Sequence, residues 1–185
     1  MAIQKGPANL GTGAITATEI AEGSISNGKI ADGGVGQSKL AAGVAGNGPA
    51  FSAYGSALQT VANVTNTKIN FNTKEFDTAN CFDTTNYRFT PNIAGYYQLN
   101  ASCLALGSSA GGVSVHIFKN GSQIRTSSVT NTVAGTNVAP TISAIVYANG
   151  TTDYFEIYAW NNNGPQTMGS NNTLQSFSGA LVRSA

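Results

Sequence analysis

The chain has 185 residues, 41% of them hydrophobic but only 9% charged, with 22 glycines and a formal net charge of +1. That apolar content rules out a disordered polyelectrolyte. The nine Lys and Arg are scattered without a cluster, which excludes the basic face that nucleic-acid binding needs.

The segment Met1 to Pro7 has no apolar stretch of signal-peptide type, and no apolar run reaches membrane-spanning length. The expectation is a chain made in the cytoplasm, with no membrane insertion. Residues 7–46 then read as four ten-residue units. The fourth position is Leu10, Ile20, Ile30 and Leu40; the ninth is Ile15, Ile25, Val35 and Ala45; the seventh is always Gly. Apolar residues five apart fit neither the helical period of 3.6 nor the strand period of 2, and a Gly in every unit opposes a continuous helix. One copy cannot bury such a row, and about 40 residues are too few for a core of their own. The pattern therefore predicts parallel chains wound about one axis, with Leu10, Ile15, Ile20, Ile25, Ile30, Val35 and Leu40 turned inward. A flexible Gly/Ser/Ala linker is the competing reading, but a linker needs no register.

Gly46-Asn47-Gly48-Pro49 ends the repeat, dividing the chain into an attachment segment and stalk, 1–48, and a head, 49–185. Strand signals follow: Pro49–Tyr54, Val61–Val64, Lys68–Phe71 with Ile69 and Phe71 on one face, and Tyr87–Thr90 ending at Pro91. Tyr96–Leu106 reads as one long strand with Tyr97, Leu99, Ala101 and Cys103 on one face. Val113–Lys119 alternates, and Asn120-Gly121 is a strong two-residue hairpin signal returning through Ser122–Thr126. Val138–Tyr147, an Asn149-Gly150 turn, Asp153–Ala159 and Ser176–Arg183 complete nine or ten strands. The whole predicts an all-β jelly-roll or Greek-key sandwich.

Catalytic chemistry finds little support. The one histidine, His116, sits in a strand between apolar neighbours, without partners for a triad or a His-based general base. One His and two separated cysteines fall short of a zinc site. Cys81 and Cys103 read as free thiols in a chain without a secretory signal, with a structural disulfide between them as the competing reading. Glu75 with Asp77, and Glu156 with Tyr154 and Tyr158, share strand faces, but carboxylates without a groove are not a site. No catalytic residue, metal or cofactor is expected. The candidate recognition surface is the polar loop after Trp160, with Asn161, Asn162, Asn163, Gln166, Asn171 and Asn172. Amides beside an aromatic ring suit sugar hydroxyls and a stacked sugar face. The alternative places Trp160 in the core or at a subunit interface and leaves the loop without a ligand.

Two resemblances sharpen these expectations. The ten-residue units resemble the short apolar–Gly repeats of bacteriophage fibre shafts. In the head, Ala50-Phe51-Ser52-Ala53-Tyr54, Ile69-Asn70-Phe71-Asn72 with Phe76-Asp77, Tyr87-Arg88-Phe89-Thr90-Pro91 with Gly95-Tyr96-Tyr97, Phe118-Lys119-Asn120-Gly121 and Phe177-Ser178-Gly179-Ala180-Leu181 are similar, in order, to segments of the C1q/TNF-like family. That resemblance implies a ten-stranded jelly roll assembled as a C3 homotrimer through aromatic and aliphatic side chains. Here a different stalk would replace the collagen stalk of vertebrate members, since no Gly-x-y run is present. Together they imply a non-enzymatic structural fibre of a bacteriophage virion, on tail, baseplate or capsid, joined to other virion proteins through its N-terminus and able to contact host envelope polysaccharide. The alternative is a bacterial surface or spore-coat C1q-like recognition module.

Overall fold

The computed structural model describes residues 48–170 and 173–185, together with Ile20, Ile25, Lys29, Ile30, Val35 and Lys39. The chain divides into two units, Met1–Leu40 and Ala41–Ala185; the architecture below is that of the second.

Among the described residues are fifteen strands in three antiparallel sheets. The first sheet has the order β12 (Thr141–Asn149), β7 (Ala94–Ser102), β15 (Ser176–Ser184), β1 (Ala50–Tyr54), β4 (Thr73–Asp77). The second runs β10 (Ser122–Asn131), β9 (Gly111–Lys119), β13 (Phe155–Asn161), β6 (Arg88–Phe89), β5 (Phe82–Asp83), with β3 (Thr67–Lys68) also paired to β13. A small third sheet joins β11 (Thr136–Val138), β8 (Ala105–Ser108), β14 (Gln166–Met168) and β2 (Gln59–Val61).

Both larger sheets give their inner faces to one core. In β7 the alternation buries Tyr97, Leu99 and Ala101; β9 turns Val113, Val115 and Ile117, and β13 turns Phe155, Ile157 and Ala159, into the same core, while Ser114, His116 and Glu156 of the opposite parity are buried too. Successive side chains of a strand point to opposite faces, so this parity fixes which residues remain outside. The densest packing is aromatic. Phe51 stacks on Phe89 and Phe82 at centroid distances of 4.4 and 4.9 Å and meets Phe177 edge-on at 4.9 Å. Each large apolar side chain so buried contributes about 1.5–3 kcal/mol. The one buried hydroxyl in this group is satisfied: Tyr97 donates to the Ile93 carbonyl at 2.7 Å.

Turn chemistry fixes the registers. Asn120 and Gly121 have φ of 52° and 79°, the left-handed pair of a type I′ hairpin whose twist matches its strands. Asn120 also donates to Asp153 Oδ1 at 2.7 Å and accepts from the Tyr154 amide at 3.0 Å, tying this hairpin to the β12–β13 turn. In that turn the Asn149 side chain accepts from the amides of Thr151, Thr152 and Asp153, and Gly150 has φ of 74°.

Several elements differ from expectation. The run Tyr96–Leu106 is two strands: β7 belongs to the first sheet and β8 to the third, with the break at Cys103 and Leu104. Val138–Tyr147 is likewise divided, at Pro140, which has no N–H to donate to a ladder. Val64 is in a turn with φ of 51°, its amide donating to the Asn161 carbonyl at 2.7 Å. Ile69 and Phe71 are fully buried but lie outside any strand. The strand β4, and the short β5 and β14, lie outside the expected set; polar and charged residues interrupt their patterns.

Candidate functional site

The outward face of the first sheet is the least ordinary surface of the head. Parity turns Tyr96, Gln98 and Asn100 of β7 outward, with Ser143, Ile145 and Tyr147 of β12 and Ser178, Ala180 and Val182 of β15. The register places Tyr147 opposite Tyr96, Ile145 opposite Gln98, and Ser143 opposite Asn100. Tyr96 and Tyr147 rings meet at 5.6 Å. Tyr96 (45% exposed), Ile145 (56%), Tyr147 (44%) and Val182 (44%) are all large apolar side chains left in water. Tyr96, Ile145 and Val182, with Arg183, line one shallow depression.

Below this apolar centre lies a neutral hydrogen-bonded patch. Gln98 Nε2 donates to Ser143 Oγ at 2.7 Å, and Ser143 Oγ donates to Asn100 Oδ1 at 2.9 Å. The outward positions of β12, β7, β15 and β1 carry no charged group except Arg183, at the irregularity in β15; charges begin with Lys74 and Glu75 on the edge strand β4. A contiguous apolar surface with a polar, uncharged surround is what a protein–protein interface exposes when its partner is absent. Burying it removes apolar area from water without stranding an ion. Sequence reasoning missed these four residues because it followed the inward parity of Tyr97 and Leu99; the signal was the apolar character of the alternate positions.

The expected recognition loop is built differently from its reading. Asn161 is fully buried, and its Nδ2 donates to the Val61 and Ala62 carbonyls at 3.4 and 3.3 Å. Gln166 is buried too and donates to the Leu106 carbonyl at 2.7 Å. Asn163 Nδ2 donates to Ser108 Oγ and the Ser109 carbonyl, both at 2.8 Å, and Asn162 Oδ1 accepts from the Gly112 amide at 2.6 Å. These amides hold the loop to β2, β8 and β9, so Asn161 and Gln166 in particular cannot rim a ligand. Trp160 is half-buried on the outward face of β13. Asn171 and Asn172 lie outside the described residues.

Of the stalk positions, Ile20, Ile25, Ile30 and Val35 are exposed in the single chain; Leu10, Ile15 and Leu40 lie outside the described residues. Among the described residues no three His, Cys, Asp or Glu side chains group as metal ligands. The carboxylates have separate duties. Asp77 accepts from the Cys81 and Phe82 amides at 2.9 and 3.0 Å, Glu75 accepts from Ser52 Oγ at 2.7 Å, and Glu156 pairs with Lys68 at 3.1 Å. Cys81 and Cys103 are both buried and unbridged; burial pushes the Cys103 thiol up to about 12.

No protein-family model matches the chain, and no curated protein sequence matches it. Solved structures do. The Eiger TNF of S. frugiperda superposes with a TM-score of 0.60 at 11% identity, covering 74% of this chain and 93% of that one. The globular domain of zebrafish complement 1qA protein gives 0.56 at 16% identity, covering 74% and 99%. PRD1 vertex protein P5 gives 0.55 at 12% identity, covering 73% and 97%. At such identities the likeness is one of fold, and the head has the TNF/C1q-like jelly-roll fold.

Proposed function

We propose that this chain is a non-enzymatic structural fibre protein of a bacteriophage virion, a homotrimer whose heads pack through the outward face of the first sheet. The observation that carries the reading is the apolar face centred on Tyr96, Ile145, Tyr147 and Val182, with Arg183 at its depression, which a lone head leaves in water. Placement on a virion draws on the fold likeness to PRD1 vertex protein P5 and on the ten-residue repeat, whose apolar row calls for neighbouring chains. In this reading residues 1–48 form the attachment segment and intertwined stalk, joined to other virion proteins, and the head projects outward towards host glycans. Three heads on one axis multiply weak contacts, so avidity exceeds single-site affinity by roughly 10²–10⁴ where geometry allows.

Mass spectrometry of purified particles from the phage or bacterium that encodes the chain tests the placement. Its peptides are expected in virions at a copy number divisible by three. Absence from virions with recovery from a bacterial or spore surface would overturn the reading in favour of a surface recognition module. Incubation with host polysaccharide should release no new reducing ends.

A further inference from the structure

The second sheet has an outward face of another chemistry. Parity in β13 turns Glu156, Tyr158 and Trp160 outward, and in β9 it turns Ser114, His116 and Phe118 outward beside them; Tyr158, Trp160 and Phe118 are half-buried, while Glu156, Ser114 and His116 are buried beneath them. Trp160 lies opposite Ser114 and Tyr158 opposite His116. Across β9, β13 and the Thr126–Thr130 stretch of β10, no outward position holds Leu, Ile or Val. A surface that associates with protein through apolar burial is built like the first sheet's face; this one pairs ring faces with hydroxyl and charged groups. That composition matches a pyranose, which has a C–H face to stack on a ring and a rim of hydroxyls to bond.

The rings are held in place before any ligand arrives. Tyr158 packs on Phe118 at a centroid distance of 4.1 Å, and its hydroxyl donates to Glu156 Oε2 at 3.3 Å. Glu156 is in turn neutralised by Lys68 at 3.1 Å. Trp160 lies across Gly112, where an added Cβ would sit 3.9 Å from its Cζ3. Alternate residues of a strand are roughly 7 Å apart, so Trp160 and Tyr158 form two adjoining platforms whose ordering cost is already met by the fold. Between them and Phe118 sits His116, only 7% exposed, with neither ring nitrogen hydrogen-bonded. An unpartnered buried polar group is rare in a folded protein; both nitrogens lie beneath the surface, so His116 backs the face and does not line it.

We propose that this face is a carbohydrate-binding platform for a neutral pyranose oligosaccharide, stacked on Trp160 and Tyr158 and read by Lys68 and by the exposed hydroxyls of Thr126 and Ser128 of β10. It deepens the host-contact part of the proposed function by naming the ligand class, and it moves the site from the Asn-rich loop to the sheet, with Trp160 common to both. The two faces belong to opposite sides of one core.

Trp160 is the chain's one tryptophan, so its emission reports on this face alone. The full chain is titrated with cellohexaose, chitohexaose and a neutral bacterial O-polysaccharide, with calorimetry alongside. A saturable emission change with at least one of them is expected. Affinity should fall roughly tenfold in Tyr158→Ala, the loss of one stacked ring, and as far in Trp160→Ala by calorimetry, both with unchanged far-UV circular dichroism. Tyr158→Phe, which keeps the packing, provides the variant that folds in any case and should retain most of the affinity. No response to any of the three sugars at millimolar concentration, or binding that both alanine variants leave intact, overturns the proposal. Neither result bears on the fibre reading, which stands or falls on the presence of the chain in virions.

Discussion

The substitution Ile145→Asp tests the assembly face most directly. Ile145 is 56% exposed in the single head, so an interface would complete about half of its burial. Full burial of an Ile is worth about 1.5–3 kcal/mol, which leaves roughly 1 kcal/mol per copy to be lost. The carboxylate that replaces it faces Gln98 across the strands and shares its depression with Arg183, which offsets part of the several kcal/mol that desolvating it costs. At about 3–4 kcal/mol per copy, three symmetric copies lose roughly 10 kcal/mol, or about seven powers of ten in the trimer association constant. The midpoint concentration of a monomer–trimer equilibrium varies as the square root of that constant, so it should rise about 10³–10⁴-fold. Light scattering coupled to size exclusion reads this out. The full chain, 18.9 kDa per copy, should elute near 57 kDa, three times that mass. The comparison is made in a fragment 41–185, which holds all fifteen strands, so that the stalk cannot mask the effect. A wild-type monomer at micromolar concentration, or an Ile145→Asp fragment whose midpoint stays within a few-fold of wild type, would refute the reasoning.

Other outcomes follow from the core, the turns and the titrating groups. Phe177→Ala removes a ring that contacts Phe51, Phe71 and Phe82 and should cost about 3–5 kcal/mol by urea denaturation. Gly150→Ala should cost about 1–3 kcal/mol in the same assay, because φ is 74° there and the new Cβ would collide with the Ala94 amide and the Ile93 carbonyl carbon. Burial holds the His116 imidazole below its ordinary 6.5. The unfolded chain therefore binds that proton first, and stability, intact above pH 6.5, should decline as pH falls below it. His116→Phe should flatten that part of the profile. Asp77 and Asp153 form a second, more acidic step. Burial alone would raise both, but the Phe82 and Cys81 amides around Asp77, and Lys119 and Asn120 around Asp153, outweigh it and hold both carboxyls below 3.8. Their contribution is full above that pH and is lost as pH falls through the lower folded values. A urea series from acid to neutral pH should resolve the two steps, and a profile flat between about pH 5 and 6.5 would contradict the first.

What proved legible in the sequence was local. Asn120-Gly121 specifies its hairpin because two successive left-handed residues are needed and these residue types adopt them. The alternation of Val113, Val115 and Ile117 specifies a strand and its inward face. The candidate site was less legible. Asn161 and Gln166 read as loop amides free for a ligand, and burial against β2 and β8 converted them into ties for the chain's own carbonyls. Tyr158 could be assigned to one strand face with Glu156, but Trp160 reads as the root of the loop beyond that strand, and neither could be placed on a surface shared with His116 and Phe118 of another.

The amino-acid sequence by itself determined the all-β class, the tight turns and the inward row of each long strand, because each depends on a few consecutive residues and the two-residue period of extended chain. Tertiary structure alone decided that one apolar run would split between two sheets at Cys103, that Tyr96, Ile145, Tyr147 and Val182 would gather from three strands into one apolar face, and that the rings of β13 would lie against β9. Those outcomes depend on pairing between residues as distant as Tyr96 and Tyr147, and the register of such pairs is set by how the whole core closes.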